Sequence, residues 1–294
     1  MLLMSVYDPP PPESVMPYPT AIFRRVVAAC AAMAMTSTAW AAPAAVAARA
    51  TAPDPLQYVA LGDSVAAGHG AAATGDACGR SSAAYPTLLA RQARGSITLR
   101  FAACSGATTI DVATRQAATL SRETDLVTLT AGANDLGVKQ VLLACQSPAR
   151  VAACRTGYAA INRKLSSTLP RDLARMIRTV TTAAPNARVV VTGYPLPFAR
   201  TRRCAGVPVQ PALRVRSNQV IHQLNAAIAE AARQSRIRYV DVARPFTGHE
   251  LCTARPWLIG AEGIRDNTVL HPTAAGQAKG YFPALVEAGL AGRP

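Results

Sequence analysis

Five short strand patterns, alternating with segments of helical composition, constrain what this chain can fold into. They run Leu56–Leu61, Ser96–Ala103, Asp125–Thr130, Arg188–Gly193 and Ile237–Val242. Between and after them lie helical patterns at Ala84–Arg94, up to about Leu120, at Ala159–Ala184 (broken or restarted at Pro170), at Ala212–Gln234 and at Thr273–Leu290. Helix 212–234 carries Ile221, Leu224, Ala227, Ile228 and Ala231 on one face, the spacing of a stripe laid on a core. Strand alternating with helix predicts one α/β domain built on a parallel sheet. No internal repeat is visible.

The segment before the first strand has a different character. Arg24-Arg25 precede an alanine-rich apolar stretch, and Ala39-Trp40-Ala41 fits a small-x-small cleavage site. The expected organisation is therefore a signal peptide over 1–41, a linker over 42–55 and one folded domain over 56–294, in a secreted protein. Met16 is an alternative start that would leave a conventional short leader. Beyond the leader, no stretch approaches the ~20 apolar residues of a bilayer span. Six cysteines follow Cys30: Cys78, Cys104, Cys145, Cys154, Cys204 and Cys252. An even set in an exported chain is expected to be oxidised in pairs. The short Cys145–Cys154 loop favours their mutual pairing, and spacing leaves the rest open. Metal-ligand spacings are missing, so no metal and no cofactor is expected.

Charge raises a competing function class. The 31 Lys and Arg against 16 Asp and Glu give a net charge of +15, which invites a nucleic-acid reading. The arginines are scattered and aromatics make up only 5%, so no stacking platform for bases is evident. Weak association with anionic lipid or cell-wall surfaces is the expectation instead, with no nucleic acid and a monomeric chain.

Chemistry concentrates in four turns. Ser64 follows the first strand, Gly106 the second, Asn134 the third, and His271 lies in a loop after the fifth. In a parallel sheet such turns share the carboxyl edge, where ligands bind. Acyl transfer needs what they supply: a hydroxyl to attack and an imidazole to move its proton. It also needs donors facing the developing oxyanion. The Ser64 N–H, the Gly106 N–H and the Asn134 amide are the candidate donors.

Gly62-Asp63-Ser64-Val65, Cys104-Ser105-Gly106-Ala107-Thr108-Thr109, Gly132-Ala133-Asn134-Asp135 and His271-Pro272-Thr273 occur in that order over about Tyr58–Tyr281. On these blocks the chain resembles the secreted SGNH (GDSL-type) hydrolases, especially actinobacterial extracellular lipases, phospholipases and esterases. Val65 replaces the usual leucine of the first block. The resemblance implies a three-layer α/β/α sandwich around five parallel strands. It implies Ser64 as nucleophile, His271 as base, and Ser64, Gly106 and Asn134 as oxyanion hole. It also implies the disulfides Cys78–Cys104, Cys145–Cys154 and Cys204–Cys252. The substrate class it implies is carboxylic esters of lipids, cleaved through an acyl-enzyme. Acetylated polysaccharide is the alternative substrate, and a non-catalytic surface-binding protein the alternative class.

One departure matters. Many such hydrolases have an aspartate three positions before the histidine, where this chain has Thr268. A main-chain carbonyl of Thr268 or Val269 is expected to orient the ring instead, giving a Ser–His dyad, with Asp266 the competing orienter. Structural roles are expected for Asp63, Asp135 and Asp241. His69, His222 and His249 read as surface or loop histidines, and Trp257 as packing. Loops 138–157 and 195–211 are the candidate walls of an acyl pocket.

Overall fold

The computed structural model describes residues 54–290 apart from 146–147, 202–203 and 205–208. The expected signal peptide, and the linker but for its last two residues, lie outside them. Strands β1 (Leu56–Gly62), β2 (Ile97–Phe101), β3 (Leu126–Thr130), β4 (Arg188–Thr192) and β5 (Arg238–Val240) form one sheet in the order β2-β1-β3-β4-β5. Every neighbouring pair is parallel. All five residues of β3 are buried, as expected for a strand covered on both faces. At the edge, β2 alternates instead: Ile97 is buried while Thr98 and Arg100 are exposed.

The helices that bear on the site are α1 (Ser64–Ala67), α2 (Tyr85–Gln92), α3 (Thr109–Thr114), α4 (Ala133–Leu136) and α5 (Val138–Ala144). They continue as α6 (Val151–Ser166), α7 (Thr168–Ala183) and α8 (Pro211–Gln234). Right-handed crossovers put α3, α7 and α8, which pack on one another, on one face of the sheet. On the other, α2 packs on the C-terminal helical segment Ala274–Leu290, whose π turns at Gln277–Tyr281 and Val286–Leu290 interrupt the α geometry. This is the three-layer α/β/α sandwich.

Single elements show why the sequence folds so. Leu169, Leu173, Met176, Ile177 and Val180 of α7 recur at helical spacing, and all are buried. Each contributes on the order of 1.5–3 kcal/mol by leaving water. The expected helix break falls at Ser167, so Pro170 sits in the first turn of α7, where its missing N–H costs nothing. The chain around 138–144, read as loop or short helix, is the helix α5.

Strand order creates the cleft. The chain steps from β1 outward to β2, then returns across β1 to β3, so the connections leaving β1 and β3 diverge. That divergence opens a crevice at their carboxyl ends. Ser64 and Asn134 leave the sheet there.

Candidate active site

The turn that presents Ser64 is fixed by groups distant in sequence. Gly62 has φ of +128°, and a Cβ there would lie 2.2 Å from the Thr130 carbonyl oxygen, so only glycine fits. The Gln116 side chain clamps the Gly62 peptide from both sides, accepting from its N–H (2.7 Å) and donating to its carbonyl (2.9 Å). Asp63, not Ser64, is the N-cap of α1; its carboxylate accepts from Val65 N–H at 2.9 Å. Ser64 is thereby the first residue of the helix, free to present its hydroxyl. From the C-terminal segment, Gln277 donates to the Val65 carbonyl (2.9 Å) and accepts from Tyr85 N–H (3.0 Å), stapling α1 and α2 together.

His271 reaches Ser64 across 207 residues of sequence: its Nε2 lies 2.7 Å from Ser64 Oγ. Its Nδ1 lies 2.8 Å from the Thr268 carbonyl oxygen. A carbonyl only accepts, so Nδ1 carries the hydrogen and Nε2 is left to accept from the serine hydroxyl. Burial lowers the pKa of His271 to about 4, with the nearby Lys139 charge and His69 adding to the effect and the Thr268 bond opposing it. The ring is therefore neutral, as a proton acceptor must be.

The loop holding His271 is strained and braced. Leu270, immediately before it, has φ of +69°, a conformation costly for a bulky side chain. Two backbone bonds hold it there, Ile259 N–H to the His271 carbonyl (2.9 Å) and Leu270 N–H to the Ile259 carbonyl (2.8 Å). Asp266 does not touch the ring. Its Oδ1 accepts from Thr268 Oγ1 (2.7 Å) and Thr268 N–H (3.2 Å), shaping the turn that presents the Thr268 carbonyl. Of the two expected carbonyls, Thr268 faces Nδ1, whereas Val269 lines the neighbouring cavity.

Asn134 lies beyond Gly132 (φ +129°), in α4, and its Nδ2 donates to the Ala107 carbonyl at 2.9 Å. That bond uses one of two amide hydrogens and ties the asparagine to the turn after Gly106. Gly106 has φ of +82°, and a Cβ there would meet no atom within 4 Å. Glycine is needed at 106 for its backbone conformation, and a side chain would project into open space. Among the described residues, neither the Gly106 nor the Ser64 N–H makes a backbone hydrogen bond. The Cys78–Cys104 disulfide fastens this turn, with Ser105 donating to the Cys78 carbonyl through its N–H (2.9 Å) and its hydroxyl (2.8 Å). The other bridges are Cys145–Cys154 and Cys204–Cys252.

Ser64, Asn134 and His271 line one cavity of about 100 Å³, walled by Val138, Leu142, Pro195, Pro197, Ile221 and Leu258. Gly106 borders an adjacent depression with Cys78, Arg80 and Ser105. The wall from 138–157 is α5, the short-helix alternative of that reading; that from 195–211 is, among the described residues, Pro195 and Pro197.

Asp135 proves structural in an unexpected way: it bonds the first turn of α3, not its own helix, accepting from Thr109 N–H (3.0 Å) and Thr109 Oγ1 (2.5 Å), while Thr108 and Asp111 form the capping box of α3. Asp241 accepts from Ala243 N–H (2.8 Å), closing a turn. His222 is exposed on α8, and His249 stacks on Trp257 at 3.7 Å. His69, read as a surface or loop histidine, lies half-buried in the turn after α1, and its ring packs edge-on to His271, centroids 5.3 Å apart. Sequence reading also missed Lys139, which lines the cavity and whose Nζ donates to Asn267 Oδ1 (2.6 Å) in the loop before His271. Tyr194 was missed too; it is buried in the cavity wall, with its hydroxyl on Asp63. None belongs to a recognisable block, and only spatial proximity marks them.

Comparison with known proteins agrees with the geometry. A family described as GDSL-like Lipase/Acylhydrolase matches residues 60–279. Lipase 1 of Streptomyces coelicolor is 38% identical over 264 residues, covering 88% of this chain and 94% of that protein. A lipase of Streptomyces rimosus is 37% identical over 231 residues, covering 78% and 85%. Among solved structures, the extracellular lipase of Streptomyces rimosus superposes with TM-score 0.74 at 36% identity, covering 79% of this chain and 99% of that one. Phospholipase A1 of Streptomyces albidoflavus does so with TM-score 0.72 at 38% identity and the same coverage.

Proposed function

The chain belongs to the GDSL-like lipase/acylhydrolase family and is a carboxylic-ester hydrolase, and on that premise we propose that it cleaves lipid acyl esters through a Ser64–His271 dyad. Ser64 Oγ attacks the ester carbonyl carbon while His271 Nε2 takes the hydroxyl proton. The carbonyl oxygen becomes an oxyanion held by the N–H groups of Ser64 and Gly106 and the amide of Asn134. Collapse expels the alcohol, which leaves with the proton from His271, and the acyl group stays on Ser64. His271 then deprotonates a water, which attacks the acyl carbon; collapse breaks the bond to Ser64 Oγ, which takes the proton back from His271, and the acid is released. The Thr268 carbonyl keeps Nδ1 protonated throughout and steadies the imidazolium that forms.

The observation that carries this reading is the 2.7 Å contact between Ser64 Oγ and His271 Nε2 at the wall of an apolar cavity. An apolar wall suits an alkyl chain better than an acetylated sugar, and the relatives above are named lipases and a phospholipase. Export is part of the same proposal: residues 1–41 read as a signal peptide, and the related Streptomyces rimosus lipase is described as extracellular. No helix among the described residues is long and apolar enough to cross a membrane. The enzyme acts as a monomer, and its excess of arginine favours weak contact with anionic surfaces.

The test is a rate profile over p-nitrophenyl esters from short to long acyl chains, with acetylated xylan alongside. A maximum at one chain length, lost in Ser64→Ala together with labelling by an organophosphonate, is expected. Faster deacetylation of xylan would move the substrate to carbohydrate. Turnover surviving in Ser64→Ala would end the dyad reading.

A further inference from the structure

We propose that Tyr194 is a positioning residue for ester hydrolysis, its hydroxyl fixing the nucleophile turn and the Asn134 turn to one another. The inference rests on the roles given above to Ser64 and Asn134.

Tyr194 stands two residues beyond β4, and its peptide is clamped by Asn225 of α8. Tyr194 N–H donates to Asn225 Oδ1 at 2.8 Å, and Asn225 Nδ2 donates to the Tyr194 carbonyl at 2.7 Å. With its backbone held, the ring lies 5% exposed in the cavity wall. Its oxygen is used in both directions. It donates to Asp63 Oδ2 at 2.6 Å and accepts from Ala133 N–H at 3.3 Å.

The partners give this bridge its meaning. Asp63 immediately precedes Ser64, and Ala133 immediately precedes Asn134. Two oxyanion donors, one from the turn after β1 and one from the turn after β3, must converge on a single oxygen atom. One phenolic oxygen spans the residues next to both. A merely satisfied core tyrosine would need a partner for its hydroxyl, but not these two.

Asp63 depends on the bridge for its charge. It is 1% exposed, and among the described residues no lysine or arginine pairs with it. The titratable groups that bear on it are Tyr85, Tyr194, Tyr281 and Asp135, none of them cationic at neutral pH. Burial pushes its carboxyl up to about 6, and the Tyr194 hydroxyl is the foremost of the groups that restrain that rise. Removing the hydroxyl raises the pKa further and leaves the Ala133 N–H without its acceptor. Both changes loosen the geometry that meets the oxyanion.

The experiment compares wild type, Tyr194→Phe, Asn225→Ala and Ser64→Ala. Competent sites are counted by stoichiometric organophosphonate labelling, so that partial unfolding does not masquerade as lost turnover. Steady-state rates are then measured on a short-chain p-nitrophenyl ester between about pH 5 and 9. In Tyr194→Phe, kcat per titrated site falls about ten- to a hundredfold while KM stays within roughly threefold, the signature of a transition-state interaction. The acid limb of kcat/KM moves to higher pH. Asn225→Ala, which frees the tyrosine peptide but keeps the hydroxyl, lowers kcat in the same direction and decides the matter should the Phe variant not fold. Wild-type kcat per titrated site with an unmoved acid limb overturns the proposal, whatever stability is lost. Turnover retained in Ser64→Ala would instead sink the reading on which it rests, so the two failures are distinguishable.

Discussion

The Asp266 carboxylate bonds to Thr268, and the carbonyl of that same Thr268 bonds to His271. The acid therefore acts on the shape of a turn and not on the charge of the imidazole. Asp266 is exposed, where a direct charge contribution would be screened in any case. Asp266→Asn keeps an acceptor oxygen for Thr268, so kcat/KM is expected to stay within a few-fold of wild type. A loss of about a thousandfold or more, of the kind seen when a triad acid is neutralised, would restore a Ser–His–Asp arrangement.

Two buried groups pull stability in opposite directions with pH. The folded pKa of His271, about 4, lies below its ordinary 6.5. The unfolded chain thus binds this proton first, and stability is lost as pH falls from 6.5 towards 4, by about 3 kcal/mol. Asp63 has the opposite sign: its folded pKa of about 6 lies above 3.8, so its contribution is full below 3.8 and lost as pH rises through 6. The two slopes largely offset in wild type. His271→Gln removes one of them, and urea unfolding should then show stability rising on acidification over that window. Identical pH dependence in the two proteins would contradict this.

The three disulfides should separate by what their loss affects. Chain entropy assigns roughly 4 kcal/mol to the Cys204–Cys252 bridge, which closes 48 residues, and roughly 2.5 to Cys145–Cys154, which closes nine. Replacing Cys204 and Cys252 by serine should cost the most stability and leave kcat of the folded enzyme little changed. Replacing Cys78 and Cys104 should lower kcat about tenfold or more, because Ser105 hangs on the Cys78 carbonyl beside Gly106. Denaturation midpoints and rates per titrated site distinguish the two outcomes.

Val138 enters the apolar cavity from the first residue of α5, where it is only partly buried and has room to grow. Val138→Phe should shorten the preferred acyl chain on the p-nitrophenyl series while leaving hydrolysis of acetate within roughly threefold. An unchanged profile would mean that the chain of the substrate lies elsewhere.

Much of this architecture was legible because it follows from periodicity. The Leu-Val-Thr-Leu-Thr run of β3 and the alternation of β2 declared strands, and the stripe on α8 declared its buried face. Ser64, Gly106, Asn134 and His271 were legible because each sits in a short block of small or turn-forming residues after a strand. Tyr194, Lys139 and His69 were not. Each is a single residue whose importance lies in a neighbour about 130 to 200 positions away, and pattern along the chain carries no trace of such a partner. The segment of α5 was legible only as loop or short helix, because Gly137, Gly157, Cys145 and Cys154 bracket or follow it. The bond from Asp135 to Thr109 was hidden because it joins two separate turns.

Gln277 fastens the Val65 carbonyl from 212 positions downstream, six residues past the imidazole. A chain emerging from the ribosome makes the serine early and receives both its staple and its base near the end. Until that last helical segment docks, the hydrolytic centre is unassembled. The order of synthesis therefore keeps the Ser64 hydroxyl and the His271 ring from meeting until the chain is almost complete.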